Sequence, residues 1–272
     1  MEFKQNLHQH TNFCDGECSA EEMVLCAIEK GFDSLGFSGH SHSTFSPVYT
    51  MTEEKTELYI KEINRLKKVY KDQIEIYLGI EFDYLSDIDF APYDYVIGSV
   101  HGFKKNDGVI AFDRSKEVVK GIIDDYFNGD GMQYVKMYYQ YMAKLPERCK
   151  KLDIVGHFDL ITKHAESVCF FDTESKEYKN YAFEALHALR EKVEIFEVNT
   201  GAIARGYRTT PYPAPFIMKE LKNLNARLII SSDCHNKNFM DYKFNEMEEY
   251  VKSFGFNSIA VLKNGKFIDT KI

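Results

Sequence analysis

Seven strand-like runs recur along the chain, a weaker one at 3–7 and clearer apolar ones at 34–38, 76–80, 95–100, 153–156, 194–198 and 228–232, each separated from the next by a polar or amphipathic stretch. Runs this short and this continuously apolar predict strands buried on both faces, as in a parallel sheet. The stretches between them carry helical periodicity. It is clearest over 53–71, where Leu58, Ile63, Leu66 and Tyr70 mark one face and charges fill the other. Strand and helix in alternation specify an α/β fold.

Most of these runs end on a potential ligand. His8 and His10, His40 and His42, His157 and Asp159, and Asp233 and His235 are pairs spaced by two, and His101 closes the run at 95–100. Residues i and i+2 of a strand project to one face, so each pair offers two polar groups to one side of the sheet. An open sheet would hold these ends too far apart to meet, whereas a closed barrel gathers them at its C-terminal face. With Glu81 at the end of the third run and Asp15 in the loop after the first, six imidazoles (His8, His10, His40, His101, His157, His235) and three carboxylates (Asp15, Glu81, Asp233) converge. At roughly three protein ligands per ion, that set suffices for two or three divalent ions. His187 lies within a helical stretch and His164 well beyond a strand end, so both are read as ordinary structural residues.

Length and composition narrow the class. A chain of 272 residues without repeats or linkers is read as one domain over 1–272, large enough to build its core without disulfides. Its six cysteines lack a C-x-x-C spacing and are expected to be free thiols in a reducing compartment. The opening residues contain neither a basic nor an apolar leader segment, and no run approaches a membrane span, so a cytoplasmic protein without membrane contact is expected. A net charge of -8 with no basic block argues against nucleic acid as a partner. The segment at 258–269, with Asn264-Gly265 at its centre, predicts a hairpin appended outside the barrel ring. The Met/Tyr stripe of Met132, Tyr134, Met137, Tyr138, Tyr141 and Met142 is read as a helix packing on the barrel.

The ordered motifs Asn6-Leu-His-Gln-His-Thr11, Phe13-Cys-Asp15, Gly79-Ile-Glu-Phe-Asp-Tyr84, Ile97-Gly-Ser-Val-His101, Val155-Gly-His-Phe-Asp159, Glu197-Val-Asn-Thr-Gly201 and Ser232-Asp-Cys-His235 resemble the polymerase and histidinol phosphatase (PHP) superfamily. Within it they look most like the histidinol-phosphate phosphatase branch. The resemblance implies a distorted (β/α)7 barrel, TIM-barrel-like, with three divalent metal ions at the C-terminal ends of the strands. It places His8, His10, Glu81 and Asp233 on one ion, Glu81, His101 and His157 on a second, and Asp15, His40 and His235 on a third. It implies hydrolysis of a small phosphorylated substrate, L-histidinol phosphate, to L-histidinol and phosphate. The sequence leaves zinc, manganese, iron and cobalt equally open.

Three divalent ions and three carboxylates leave an excess of about three positive charges, matched to a phosphate dianion and a hydroxide generated from bound water. Asp233 is counted with the catalytic groups as well as the ligands. Arg205 and Arg208, just beyond the sixth run, are candidate phosphate-binding residues because a guanidinium can offer two parallel N–H groups. His42 is a candidate donor to phosphate or acid for the leaving alkoxide. Asp159 and Asn199 are candidates to orient ligands or loops. The competing readings are a phosphoesterase for a nucleotide or another small phosphate ester, and a metal-binding module without catalysis.

Overall fold

A computed structural model describes residues 3–43, 49–105 and 108–272. In chain order the elements are β1 (Gln5–Asn6), α1 (Ala20–Glu29), β2 (Ser34–Phe37), α2 (Glu53–Val69), β3 (Glu75–Asp83), β4 (Tyr95–Ser99), β5 (Gly102–Lys105), β6 (Gly108–Ala111), α3 (Lys116–Phe127), α4 (Gly131–Ala143) and α5 (Leu145–Arg148). There follow β7 (Ile154–Val155), α6 (Lys176–Arg190), β8 (Ile195–Asn199), α7 (Gly201–Ala204), α8 (Pro215–Asn223), β9 (Arg227–Ser231), α9 (Phe244–Ser253), β10 (Ser258–Lys263) and β11 (Lys266–Lys271). All seven predicted strands form, and they pair in parallel in the order β1-β2-β3-β4-β7-β8-β9. Between the end strands there is no regular ladder. A single parallel bridge joins Gln9 to Cys234, and the Asn6 amide donates to Ser232 Oγ at 2.8 Å, so the sheet is nearly closed into a barrel. Among the described residues, no helix is long and apolar enough to cross a membrane.

Strand alternation sorts side chains between the barrel interior and the helices outside. Leu7, Tyr77, Tyr95, Ile97, Ile154, Ile195 and Ile229 form the interior cluster. Tyr95 fills the middle of it, its hydroxyl donating to the carbonyls of Leu7 and Phe37. Gly36 and Gly79 are required by that ring, because a Cβ at either position would overlap it. Two residues further along the same faces come the groups of the mouth: Glu81 follows Tyr77 and Gly79, and Asp233 follows Ile229 and Ser231.

Two expectations change in detail. On α2 the buried stripe is Tyr59, Ile63 and Leu66, while Leu58 is 48% exposed. Tyr59 is the residue four before Ile63, and its hydroxyl reaches Gly79 O at 2.8 Å. The C-terminal hairpin lies outside the seven-stranded ring, with Asn264 and Gly265 at positive φ in its turn, yet it is no loose appendage. Ala260 and Leu262 are buried in the interior cluster, and Gln5 exchanges two hydrogen bonds of 2.7 and 2.8 Å with the Leu262 backbone. The hairpin is the floor of the barrel, opposite the mouth. On α4, Tyr134, Tyr138 and Met142 are buried in the core as the stripe predicts.

Candidate metal centre

All nine side chains expected at the mouth meet there. His8, His10, Asp15, His40, Glu81, His101, His157, Asp233 and His235 fall into overlapping groups whose donor atoms lie within 4.8 Å of one another. Glu81, 1% exposed, is the hub. Its Oε2 stands 3.4 Å from His8 Nε2, 3.6 Å from His10 Nε2 and 2.9 Å from His40 Nδ1. Its Oε1 stands 2.9 Å from His157 Nε2 and 3.4 Å from His101 Nε2. At the other edge Asp15 lies 3.6 Å from His10 Nδ1, 3.8 Å from His40 Nε2 and 3.3 Å from His235 Nε2.

One cage is defined closely enough to test for fit. Asp233 Oδ1 lies 3.7 Å from His8 Nε2 and 3.2 Å from His10 Nε2, and Glu81 Oε2 faces the same two nitrogens at 3.4 and 3.6 Å. A tetrahedral ion with ligand bonds of roughly 2.0–2.1 Å has ligand-to-ligand edges of about 3.4 Å. Three of the four cage atoms, His8 Nε2, His10 Nε2 and Glu81 Oε2, are buried without a hydrogen-bond partner. Unpartnered buried polar atoms are costly, and a shared divalent cation satisfies all of them.

The imidazoles are aimed by acceptors behind them. His8 donates from Nδ1 to Glu197 Oε1 at 2.6 Å, and His101 donates from Nδ1 to Asp83 Oδ2 at 3.1 Å, so each Nε2 faces the centre. Glu197 is fully buried and also accepts from His157 N at 2.7 Å, Asn199 Nδ2 at 2.9 Å and Ser231 Oγ. Neither Glu197 nor Asp83 carried an assigned role in the sequence reading. The available signal was an acid inside a buried run, which is expensive without partners. Among the described residues His40 has no such separate acceptor: its two nitrogens face Glu81 and Asp15.

Charge is concentrated accordingly. Burial works against protonation of His8, but Glu197, Glu81 and Asp233 hold its pKa well above the usual imidazole value. His10 is pushed down to about 3 by burial and by His235 and His40. Burial would raise Glu81, yet His40, His8 and His101 hold it well below the usual carboxylate range. Burial likewise opposes ionisation of Asp233, and Arg205 and His8 overcome it. The field of these carboxylates favours divalent cations. Asp233 itself sits at φ 47°, a left-handed conformation that is uncommon outside glycine, asparagine and aspartate.

The remaining sequence candidates separate. Arg205 lines the cavity, a cleft of about 240 Å³, and clamps Asp233 through its carboxylate at 2.9 Å and its carbonyl at 2.8 Å. Arg208 does not line it. Gly206, at φ 74°, turns the chain between them, and Arg208 is buried behind the wall against the Tyr212 ring at 4.6 Å, bonded to Thr162 and Thr210. His42 also stays off the cavity, bonded through Nδ1 to Met51 O at 3.0 Å, while Tyr49 packs against His40 instead. Four pairs lie just past a strand end, and the i, i+2 expectation holds for His8/His10 and Asp233/His235 but fails for His40/His42, where His42 turns to Met51 O, and for His157/Asp159, where Asp159 sits at φ -112°, ψ 37°, off extended backbone. Asp159 accepts from Ala214 N at 3.0 Å and Asn199 from Gly201 N at 2.8 Å, so both hold loops. His187 pairs with Glu220 and His164 with Arg114 O, away from the centre. Asp113, Lys163, Leu160, Tyr207 and Tyr212 also line the cavity.

The chain resembles known proteins over nearly its whole length. It is 25% identical to a probable histidinol-phosphatase of Schizosaccharomyces pombe, covering 95% of this chain and 89% of that one. It is 26% identical to the histidinol-phosphatase of Bacillus subtilis, covering 89% and 97%. Its fold superimposes with a TM-score of 0.72, at 22% identity and 97% and 98% coverage, on a histidinol phosphate phosphatase of Lactococcus lactis solved with zinc, L-histidinol and phosphate. The PHP domain profile matches residues 6–201, well over half of the sequence and including seven of the nine clustered residues. The chain belongs to the PHP domain family.

Proposed function

We propose that this protein is a metal-dependent phosphomonoesterase that hydrolyses L-histidinol phosphate to L-histidinol and phosphate. The observation that carries the metal dependence is the cage of His8, His10, Glu81 and Asp233, with three unpartnered buried atoms at tetrahedral-edge spacing. The substrate is supported by relatives named histidinol-phosphatase and by the L. lactis structure that holds L-histidinol and phosphate with zinc. In this reading the cage holds one of three divalent ions. Glu81 would also serve a second together with His101 and His157, and Asp15, His40 and His235 would hold a third. Bound divalent ions supply Lewis-acid polarisation of the phosphoryl oxygens and a water made acidic enough to act as nucleophile near neutral pH.

The protein's own groups position and balance charge. Glu81, Asp15 and Asp233 supply the negative charge that gathers the cations, and Glu197 and Asp83 fix the tautomers of His8 and His101. Arg205 spends part of its guanidinium on Asp233 and offers its remaining N–H groups to the phosphate dianion. The test is metal analysis of gently purified protein together with kcat/KM on a panel of phosphomonoesters. L-histidinol phosphate should give the highest value, activity should vanish on chelation and return with metal, and nucleoside monophosphates should be poor. Equal turnover of nucleoside monophosphates, or none of any ester by metal-loaded protein, refutes the reading.

A further inference from the structure

Four carboxylates line the cavity: Asp15, Glu81, Asp233 and Asp113. The first three belong to the groups able to hold metal, and Asp113 belongs to none of them. The chain path puts it there. After β6 ends at Ala111, Phe112 N donates to His101 O at 2.9 Å, so residue 113 emerges at the mouth beside a strand end of the cluster. Lys163, from the loop after β7, bonds Asp113 Oδ1 at 2.7 Å, and its ammonium lies 4.5 Å from the centre of the Tyr207 ring. Asp113 Oδ2 has no partner among the described residues, and the side chain remains 29% exposed.

On the phosphatase reading above, the substrate carries a phosphate dianion and, two carbons from the ester oxygen, a primary ammonium. A centre that attracts the dianion repels that ammonium, and a partly enclosed cleft strengthens the repulsion. A fixed negative charge not consumed by the metals is needed elsewhere on the cavity wall, and Asp113 is the lining carboxylate left for it. We propose that Asp113 is the specificity residue for this substrate class, receiving the substrate ammonium on Oδ2 while Lys163 holds the carboxylate in place through Oδ1. The site then selects amino-alcohol phosphates over esters that lack the amine.

The experiment compares L-histidinol phosphate with its deaminated counterpart, 3-(imidazol-4-yl)propyl phosphate, using metal-loaded full-length protein. Values of kcat/KM are measured for the wild type, Asp113→Asn and Asp113→Glu, with metal content determined alongside. The wild type should prefer the aminated ester by about 10- to 100-fold, the range of a hydrogen bond to a charged group. Asp113→Asn should bring that ratio close to one, mainly through KM, and Asp113→Glu should restore part of it. An unchanged ratio in Asp113→Asn, equal losses on both esters, or no preference in the wild type overturns the assignment while leaving the phosphatase reading standing. Failure of the wild type to hydrolyse either ester overturns that reading, and this assignment with it.

Discussion

Replacing Glu197 by Gln tests whether the centre depends on how its imidazoles are held. The carboxylate accepts on Oε1 from His8 Nδ1 at 2.6 Å and from the Ser231 hydroxyl, and on Oε2 from His157 N at 2.7 Å and Asn199 Nδ2 at 2.9 Å. A carboxamide of the same shape has only one accepting end. If its NH2 takes the Oε2 position, a backbone N–H that cannot rotate loses its acceptor. If it takes the Oε1 position, Ser231 can turn, but His8 must accept on Nδ1 and carry its proton on Nε2, which blocks the lone pair facing the cage. Either outcome forfeits a charge-assisted hydrogen bond of about 1.5–3 kcal/mol. The corresponding loss in metal affinity or activity is about 10–100-fold, the usual range for an acceptor behind a metal-bound histidine. The assay is zinc affinity by chelator competition, with kcat/KM on L-histidinol phosphate and thermal melting with and without metal. Affinity and kcat/KM both within about twofold of wild type would show that Glu197 is a structural acid and that the tautomer of His8 is fixed by other means.

Glu81→Ala removes the acid that faces five imidazoles and should lose metal and more than about 100-fold in turnover, and full metal content with a normal rate would sink the shared-ligand assignment. Arg205→Ala should lower kcat/KM by about 10²–10³-fold, the scale of one donor to developing transition-state charge, with Arg205→Lys recovering only part. Because Arg205 also clamps Asp233, metal content in the alanine variant should fall as well, and wild-type values on both counts would make Arg205 a bystander. Leu262→Ala, in the barrel floor, should cost about 2–5 kcal/mol in chemical denaturation without displacing metal, whereas a negligible loss would mean the hairpin is dispensable.

The legible features were those carried by period and order. Seven strand-like runs separated by helical stretches were enough for the parallel strands, and eight polar residues at the ends of runs, with Asp15 in the loop after the first, were enough to bring the nine side chains to one mouth. The same rule misled for the second members of two pairs, His42 and Asp159, which bond to a neighbouring loop instead of facing the centre. Leu58 shows the parallel limit on a helix, where adjacent residues differ by about 100° and an apolar residue one position off the stripe faces water.

What the sequence determined by itself was therefore the one-dimensional part: which segments alternate, which faces are apolar, and which potential ligands stand at strand ends. Only the tertiary structure decided which atoms share a cage, that Glu197 and Asp83 sit behind His8 and His101, that Arg205 grips Asp233, and that the terminal hairpin closes the barrel floor. It alone placed Asp113 and Lys163 on the cavity wall, from segments 50 residues apart. The physical reason is range. Periodicity follows from local backbone geometry and can be read along the chain, whereas charge satisfaction and packing depend on contacts between distant segments, which exist only once the barrel has closed.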